Sequence, residues 1–323
     1  MAGLPPAQRA PDPIMTRQQH PALGISLILL MAACFATLDT TVKYVGAALP
    51  VLVLLWSRYL FQAIVMAGWL ARRGKAAFRV ARPGFQLLRG ALLLSTSCMS
   101  FFGLQYMPVA EFTAVAMLTP VVVTVLAATV LHERVSLLRW ALVGIGLLGA
   151  LLVVRPGGAV FGWPVVFPLG LTLAYGVFQV LTSRLSSLED PYTTHFYTGL
   201  VGAVVVSLGA WWSPVAVVDV LVAASPAQWG LLCLIGAMGT IGHLCLILAL
   251  GTAPASTLMP FSYSALLFAT LGGMLVFGHL PDRWALTGML VIAAAGAASV
   301  WLNMREVQRR HPVPTVALDT VGD

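Results

Sequence analysis

Ionisable side chains are scarce in this chain and their positions are informative. Asp39, Lys43 and Arg58 lie inside long apolar segments, where a charge is costly and usually serves function. Asp39 falls about eight residues before the end of the first segment, and Arg58 about eight residues into the second. At about 1.5 Å per helical residue each is roughly 12 Å deep. The two segments are joined by the short link Gly46–Pro50, so they are antiparallel neighbours and the opposite charges share a depth. Lys43 follows Asp39 at i+4, on the same helical face. This spacing predicts a buried Asp39–Lys43–Arg58 cluster. It is either a structural ion cluster joining two helices or an anion-attracting wall of a cavity, with Asp39 available to take a proton. Glu111 opens the fourth segment after Pro108, as a helix-dipole contact or a gate. Arg89, near the start of the third, is expected to snorkel.

The other candidates are neutral polar groups. Tyr175 and Gln179 share one face of the sixth segment at i, i+4. His243 is deep in the eighth, after Gly236, Gly239 and Gly242, whose small size allows close helix contact. Tyr263 lies in the ninth between Ser262 and Ser264, after Pro260. Pro260 and Pro120 each predict a bend. For every one of these, packing competes with a cavity role. Catalytic signatures are missing: there is no His-Glu-x-x-His, no Gly-x-Ser-x-Gly and no phosphate-binding Gly-rich loop, so no cofactor or metal is expected. Cys34, Cys98, Cys233 and Cys245 fall inside apolar segments without metal or disulfide spacing.

The elements that must position these residues are membrane helices. The chain is 59% hydrophobic and 9% charged, outside the range of soluble domains. Apolar stretches of spanning length lie near Leu23–Ala47, Pro50–Leu70, Phe85–Tyr106, Pro108–Leu131, Leu138–Val154, Val165–Thr182, Thr193–Trp212, Trp229–Leu250, Ala253–Phe277 and Arg283–Met304. The fold class expected is therefore an all-α integral membrane protein with ten transmembrane helices. Residues 1–20 and 305–323 are polar and read as disordered cytoplasmic tails. Basic residues concentrate in alternate loops (Arg72, Arg73, Lys75, Arg79 and Arg82; Arg134 and Arg139; Arg184; Arg305 onward), while Arg155 and Arg283 fall on the other side. This bias places both termini in the cytoplasm of a cell-membrane protein and removes nucleic acid as an explanation of the +7 charge. Most Trp residues sit at segment ends, as an interfacial belt requires; Trp56 does not.

The chain also repeats itself. Arg139-Trp140-Ala141-Leu142 with Gly144 returns as Arg283-Trp284-Ala285-Leu286 with Gly288, and Leu104 and Pro108 return as Leu250 and Pro254. Each copy closes a set of five segments. Five is odd, so the copies cross the membrane in opposite senses, a construction found in secondary transporters. The two Arg-Trp pairs then lie at opposite membrane faces and mark helix starts. The halves are 21–155 and 164–304, divided after Arg155-Pro156-Gly157-Gly158.

Two stretches resemble a known family. Ala110-Glu111-Phe112-Thr113, Leu118-Thr119-Pro120 and Leu131-His132-Glu133-Arg134 resemble the EamA-type repeat of the drug/metabolite transporter superfamily. Ala253-Pro254-Ala255-Ser256, Tyr263-Ser264-Ala265-Leu266 and Phe277-Gly278-His279-Leu280 resemble its partner. Where the second repeat usually has Gly-Glu, this chain has Gly278-His279. The resemblance covers about residues 20–304 and implies two inverted five-helix repeats with alternating access around a central cavity. It implies a small polar or aromatic metabolite as substrate: amino-acid-like, or vitamin- or nucleoside-like, such as riboflavin or S-adenosylmethionine. Protons or a counter-solute would drive the transport. The alternatives are a membrane-embedded enzyme on lipid-linked substrates, which needs an interfacial reactive cluster, and a non-transporting receptor. The sequence carries no signal of oligomeric state.

Overall fold

A computed structural model describes residues 21–130, 135–154, 162–185, 188–253, 255–279 and 281–310. The two expected terminal tails lie outside the described residues, except for 305–310. So do the Leu131–Arg134 motif and the Arg155–Gly158 boundary.

The described chain is helical, with no strand among the described residues. The long helices are α1 (Pro21–Gly46), α2 (Val51–Arg73), α3 (Pro83–Tyr106), α6 (Leu137–Val154), α7 (Val166–Leu185), α8 (Pro191–Trp212), α10 (Pro226–Thr252) and α13 (Arg283–Arg310). Shorter pieces are α4 (Val109–Ala116), α5 (Thr119–Val130), α9 (Val217–Ala223), α11 (Ala255–Leu258) and α12 (Ser264–Phe277). Among the described residues seven spans are long and apolar enough to cross a membrane, with shorter apolar helices at Trp140–Gly149, Phe261–Phe277 and Arg283–Ala298. The protein is a multi-pass membrane protein.

Helix ends follow local chemistry. Prolines open α3, α8 and α10, where a missing N–H costs nothing. The Asp190 carboxylate accepts from the N–H groups of Tyr192 and Thr193 at the start of α8. Ser225 and Gln228 form a reciprocal capping box on α10. Gly278, at φ 66°, ends α12; its N–H donates to the Met274 carbonyl, and the His279 N–H to Gly273. The expected proline bends are breaks. Pro120 cannot donate to the Ala116 carbonyl, and α4 stops there, with α5 restarting at Thr119. Pro260 lies in a 3₁₀ turn, Met259–Tyr263, separating α11 from α12.

The halves are interleaved, and their contacts are symmetric. α1 packs on α10 as α7 packs on α3; α2 meets α10 as α8 meets α3; α1 meets α12 as α7 meets α5. α2 with α8, and α6 with α13, pair across the same pseudo-two-fold relation. Each half therefore completes the other's core. Trp69, Trp140, Trp163, Trp211, Trp212, Trp229, Trp284 and Trp301 are exposed, as a belt requires. Trp56 departs from the belt because its Nε1 donates to Ser207 Oγ of α8 at 3.0 Å.

Candidate functional site

A cavity of about 910 Å³, including its open mouth, lies among α1, α2, α3, the α4–α5 break, α7, α10 and the Met259–Tyr263 turn. Both halves contribute walls. Its lining is mainly apolar and aromatic, including Met31, Phe35, Phe101, Phe112 and Met117. Its polar members include Asp39, Arg58, Tyr175, Gln179 and His243, five of the eight expected site residues.

Asp39 and Arg58 do share this cavity, as their matched depth predicts. They do not form the expected cluster. Ser100 Oγ donates to Asp39 Oδ1 at 3.1 Å. Arg58, 2% exposed, donates through Nη1 to Ser97 Oγ. The same Ser97 Oγ is 2.7 Å from the Tyr59 hydroxyl. The guanidinium lies 4.8 Å from the centre of the Tyr59 ring and 5.8 Å from that of Phe101. Among the described residues no ion pair joins Asp39, Lys43 and Arg58; Arg73 with Asp190, 3.4 Å apart at the protein surface, is such a pair. Ser97 and Ser100 are therefore the residues that hold the two charges. They are three apart on one face of α3.

Lys43 departs furthest from expectation. Its Nζ donates to the Leu104 carbonyl at 2.9 Å and the Met107 carbonyl at 3.0 Å, closing the C-terminus of α3. It lies 6.0 Å from the Phe277 ring centre and feels the charge of Glu111 rather than pairing with Asp39. Glu111 also lies outside the cavity. It lines a second recess of about 760 Å³ with His279, Asp282 and Thr270. Tyr263 packs in a satellite core with Ala114, Met117, Leu266 and Ile292, its hydroxyl against Gly146.

In the second half, His243 packs against Phe35 at 4.6 Å and Phe178 at 6.0 Å. Tyr175 stacks on Phe178 at 5.7 Å. Five buried side-chain atoms of cavity-lining residues have no hydrogen-bond partner: Arg58 Nε, Thr119 Oγ1, the Tyr175 hydroxyl, Gln179 Oε1 and His243 Nδ1. Buried polar groups are normally satisfied, so a set of orphans around one cavity marks a place for a polar occupant. The glycine face of α10 explains how the charge fits. A Cβ on Gly239 would lie 2.8 Å from Arg58 Nε, and one on Gly236 or Gly242 would meet Phe61 or Phe35 at 2.5 Å.

Arg89 does not snorkel. It is 0% exposed, behind Phe178, with its guanidinium 4.6 Å from that ring. Nε donates to Thr182 Oγ1 at 2.8 Å, and Nη1 to the Thr194 carbonyl and Thr198 Oγ1. Below it, Gln62 Nε2 donates to the His195 carbonyl at 3.0 Å. These groups join α2, α3, α7 and α8 away from the cavity lining. His/Cys/Asp/Glu groupings able to hold a metal are absent among the described residues.

The family model of the EamA-like transporter family matches residues 22–155 and again 162–313. The chain belongs to the EamA-like transporter family, and it is a transporter of small metabolites. It is 24% identical to an S-adenosylmethionine uptake transporter of Rickettsia felis over 89% of this chain and 96% of that one. It is 24% identical to a riboflavin transporter of Vibrio cholerae, covering 92% and 99%. A pseudopaline exporter of Pseudomonas aeruginosa is 26% identical over 84% and 94%. A solved crystal structure superposes with a TM-score of 0.69 at 19% identity, over 88% of this chain and 98% of its own, which speaks to the fold.

Proposed function

We propose that the protein is a secondary transporter that moves a small polar or aromatic metabolite by alternating access, without catalysing a reaction. The observation that carries this is the cavity: its walls come from both interleaved halves, and it holds two unpaired opposite charges and several unsatisfied polar atoms in an otherwise apolar lining. Asp39, Arg58, Tyr175, Gln179 and His243 bind substrate or couple its movement. Lys43, Glu111 and Tyr263 act outside the cavity, Lys43 as a cap and Glu111 at the second recess.

Counting α4–α5 and α11–α12 as interrupted passes gives ten crossings and two inverted repeats. The basic loops then face the cytoplasm together with both termini, in the inner membrane of a bacterium-like cell. The relatives are described as carriers of S-adenosylmethionine, riboflavin and pseudopaline. Protons or a counter-solute supply the driving force.

Proteoliposomes loaded with a metabolite panel, with and without a pH gradient, test the reading. Protein-dependent flux of at least one solute, abolished by Asp39→Asn, is expected. Absence of flux for every solute under both conditions would overturn it.

A further inference from the structure

We propose that Arg89, Gln62 and Gln86 form a second polar site, shut off from the cavity by the Phe178 ring, and that water enters it when this end of the bundle opens, drawn by the unneutralised charge of Arg89. The use of this opening rests on the transporter reading, but the entry of water is measurable without a solute.

The site lies where α2 and α7 end and α3 and α8 begin. In this structure the helices are closed on one another there. A Cβ on Gly90 of α3 would lie 2.6 Å from Val201 Cβ of α8, and one on Gly199 of α8 would lie 2.8 Å from Gln62 Cγ of α2. Phe178, 0% exposed, adjoins both compartments. Its ring centre is 5.7 Å from that of Tyr175 and 6.0 Å from that of His243, two residues of the cavity lining. The same centre is 4.6 Å from the Arg89 guanidinium.

Closure leaves polar groups unsatisfied. Arg89 is fully buried, and among the described residues no carboxylate lies within the 4.0 Å of an ion pair with it. Its Nη2 has no hydrogen-bond partner, nor have Gln62 Oε1 and Gln86 Oε1, both buried. A charge held dry without a counter-charge, among orphaned polar atoms, disfavours the closed form.

The bonds that Arg89 does make are one-sided. Its acceptors are Thr182 Oγ1, the Thr194 carbonyl and Thr198 Oγ1. Thr182 Oγ1 also donates to the Phe178 carbonyl at 2.7 Å, and Thr198 Oγ1 to the Thr194 carbonyl at 2.8 Å. Withdrawing the guanidinium therefore orphans none of these acceptors. Water entering the site would satisfy Nη2 and both amide oxygens. Arg89 is thus a standing bias toward opening and not a tie. An apolar side chain at position 89 removes the bias, and the equilibrium moves toward the closed form.

Amide hydrogen exchange of residues 191–202, read on the full chain in lipid nanodiscs, reports opening at this end. Arg89→Met is expected to fold, to slow that exchange about fivefold or more, and to lower flux of the panel solutes that the wild type carries about tenfold or more. Arg89→Lys keeps a charge that water can solvate and is expected to retain about half or more of the wild-type exchange rate and flux. Exchange in Arg89→Met at the wild-type rate or faster would overturn the proposal, as would wild-type flux in that variant. An Arg89→Lys protein as slow as Arg89→Met would overturn it too, because the charge would then not be the cause. Failure of Arg89→Met to fold would make Arg89 a structural tie and overturn it as well. Slowed exchange in Arg89→Met, beside a wild type that moves no solute, would uphold the proposal and count against the transporter reading alone.

Discussion

Replacing Lys43 with Met separates its role from that of Asp39, four residues away on the same helix. In the structure Lys43 ties the loose end of α3 to α1 through two carbonyls, Leu104 and Met107. Both residues are buried, so their carbonyls find no water when the ammonium is removed. A hydrogen bond to a charged group contributes about 1.5–3 kcal/mol, and immobilising a lysine side chain costs about 2 kcal/mol. Two such bonds at a helix C-terminus, with about 0.3–1 kcal/mol from the dipole, leave a net loss of about 2–4 kcal/mol for Lys43→Met. Met keeps the apolar stem but not the ammonium, so the contact of the charge with the Phe277 ring is lost with the two hydrogen bonds. The assay is denaturant or thermal unfolding in nanodiscs, paired with ligand affinity of the folded fraction. Lys43→Met is expected to lose stability and keep affinity within about threefold, while Asp39→Asn loses affinity. A Lys43→Met protein as stable as wild type but unable to bind ligand would refute the capping assignment and return Lys43 to the binding site.

Four further substitutions have expected outcomes. Gly239→Ala brings a Cβ to 2.8 Å from Arg58 Nε and should cost about 1–3 kcal/mol and impair flux. Gly209→Ala, which meets nothing within 4 Å, should gain about 0.5–1 kcal/mol without affecting flux; unfolding and flux of the pair check both. Arg89→Met should fold with stability near wild type, because Thr182 and Thr198 keep their own bonds to the Phe178 and Thr194 carbonyls and a buried cation gives way to an apolar chain; thermal unfolding measures this. Ser225→Ala removes the capping box of α10 and should cost about 1 kcal/mol, with ligand affinity unchanged in the same binding assay.

Helices were legible because the apolar runs are long and the punctuation is strong. Pro83, Pro191 and Pro226 open helices, and Pro120 and Pro260 fall at the interruptions. The shared cavity of Asp39 and Arg58 was legible because depth follows from residue count alone. Lys43 misled because i+4 spacing fixes where a Cβ points, while a four-carbon stem can carry the ammonium to another helix's carbonyls. Ser97 and Ser100 gave no signal: serines in membrane helices often bond their own turn, and Ser97 does so as well, to Leu93 at 2.8 Å. Arg89 was read as snorkelling because its partners come from α7 and α8, distant in sequence. Tyr263 was expected to face the cavity; it falls in the 3₁₀ turn, which presents it to Ala114 and Ile292 instead.

The seats on α10 have a mechanical consequence. Gly236, Gly239 and Gly242 receive Phe61, Arg58 and Phe35, side chains of different shape and charge, at intervals of about 4.5 Å along the helix. Sliding α10 by one seat would press a benzyl ring where a guanidinium fits. The register of α1, α2 and α10 is therefore keyed, and sliding of any one of the three past the others is resisted. At the two interruptions Pro120 and Pro260 bring no N–H to the helix ladder, so the backbone there lacks α-helical hydrogen bonds that would otherwise stiffen it against bending.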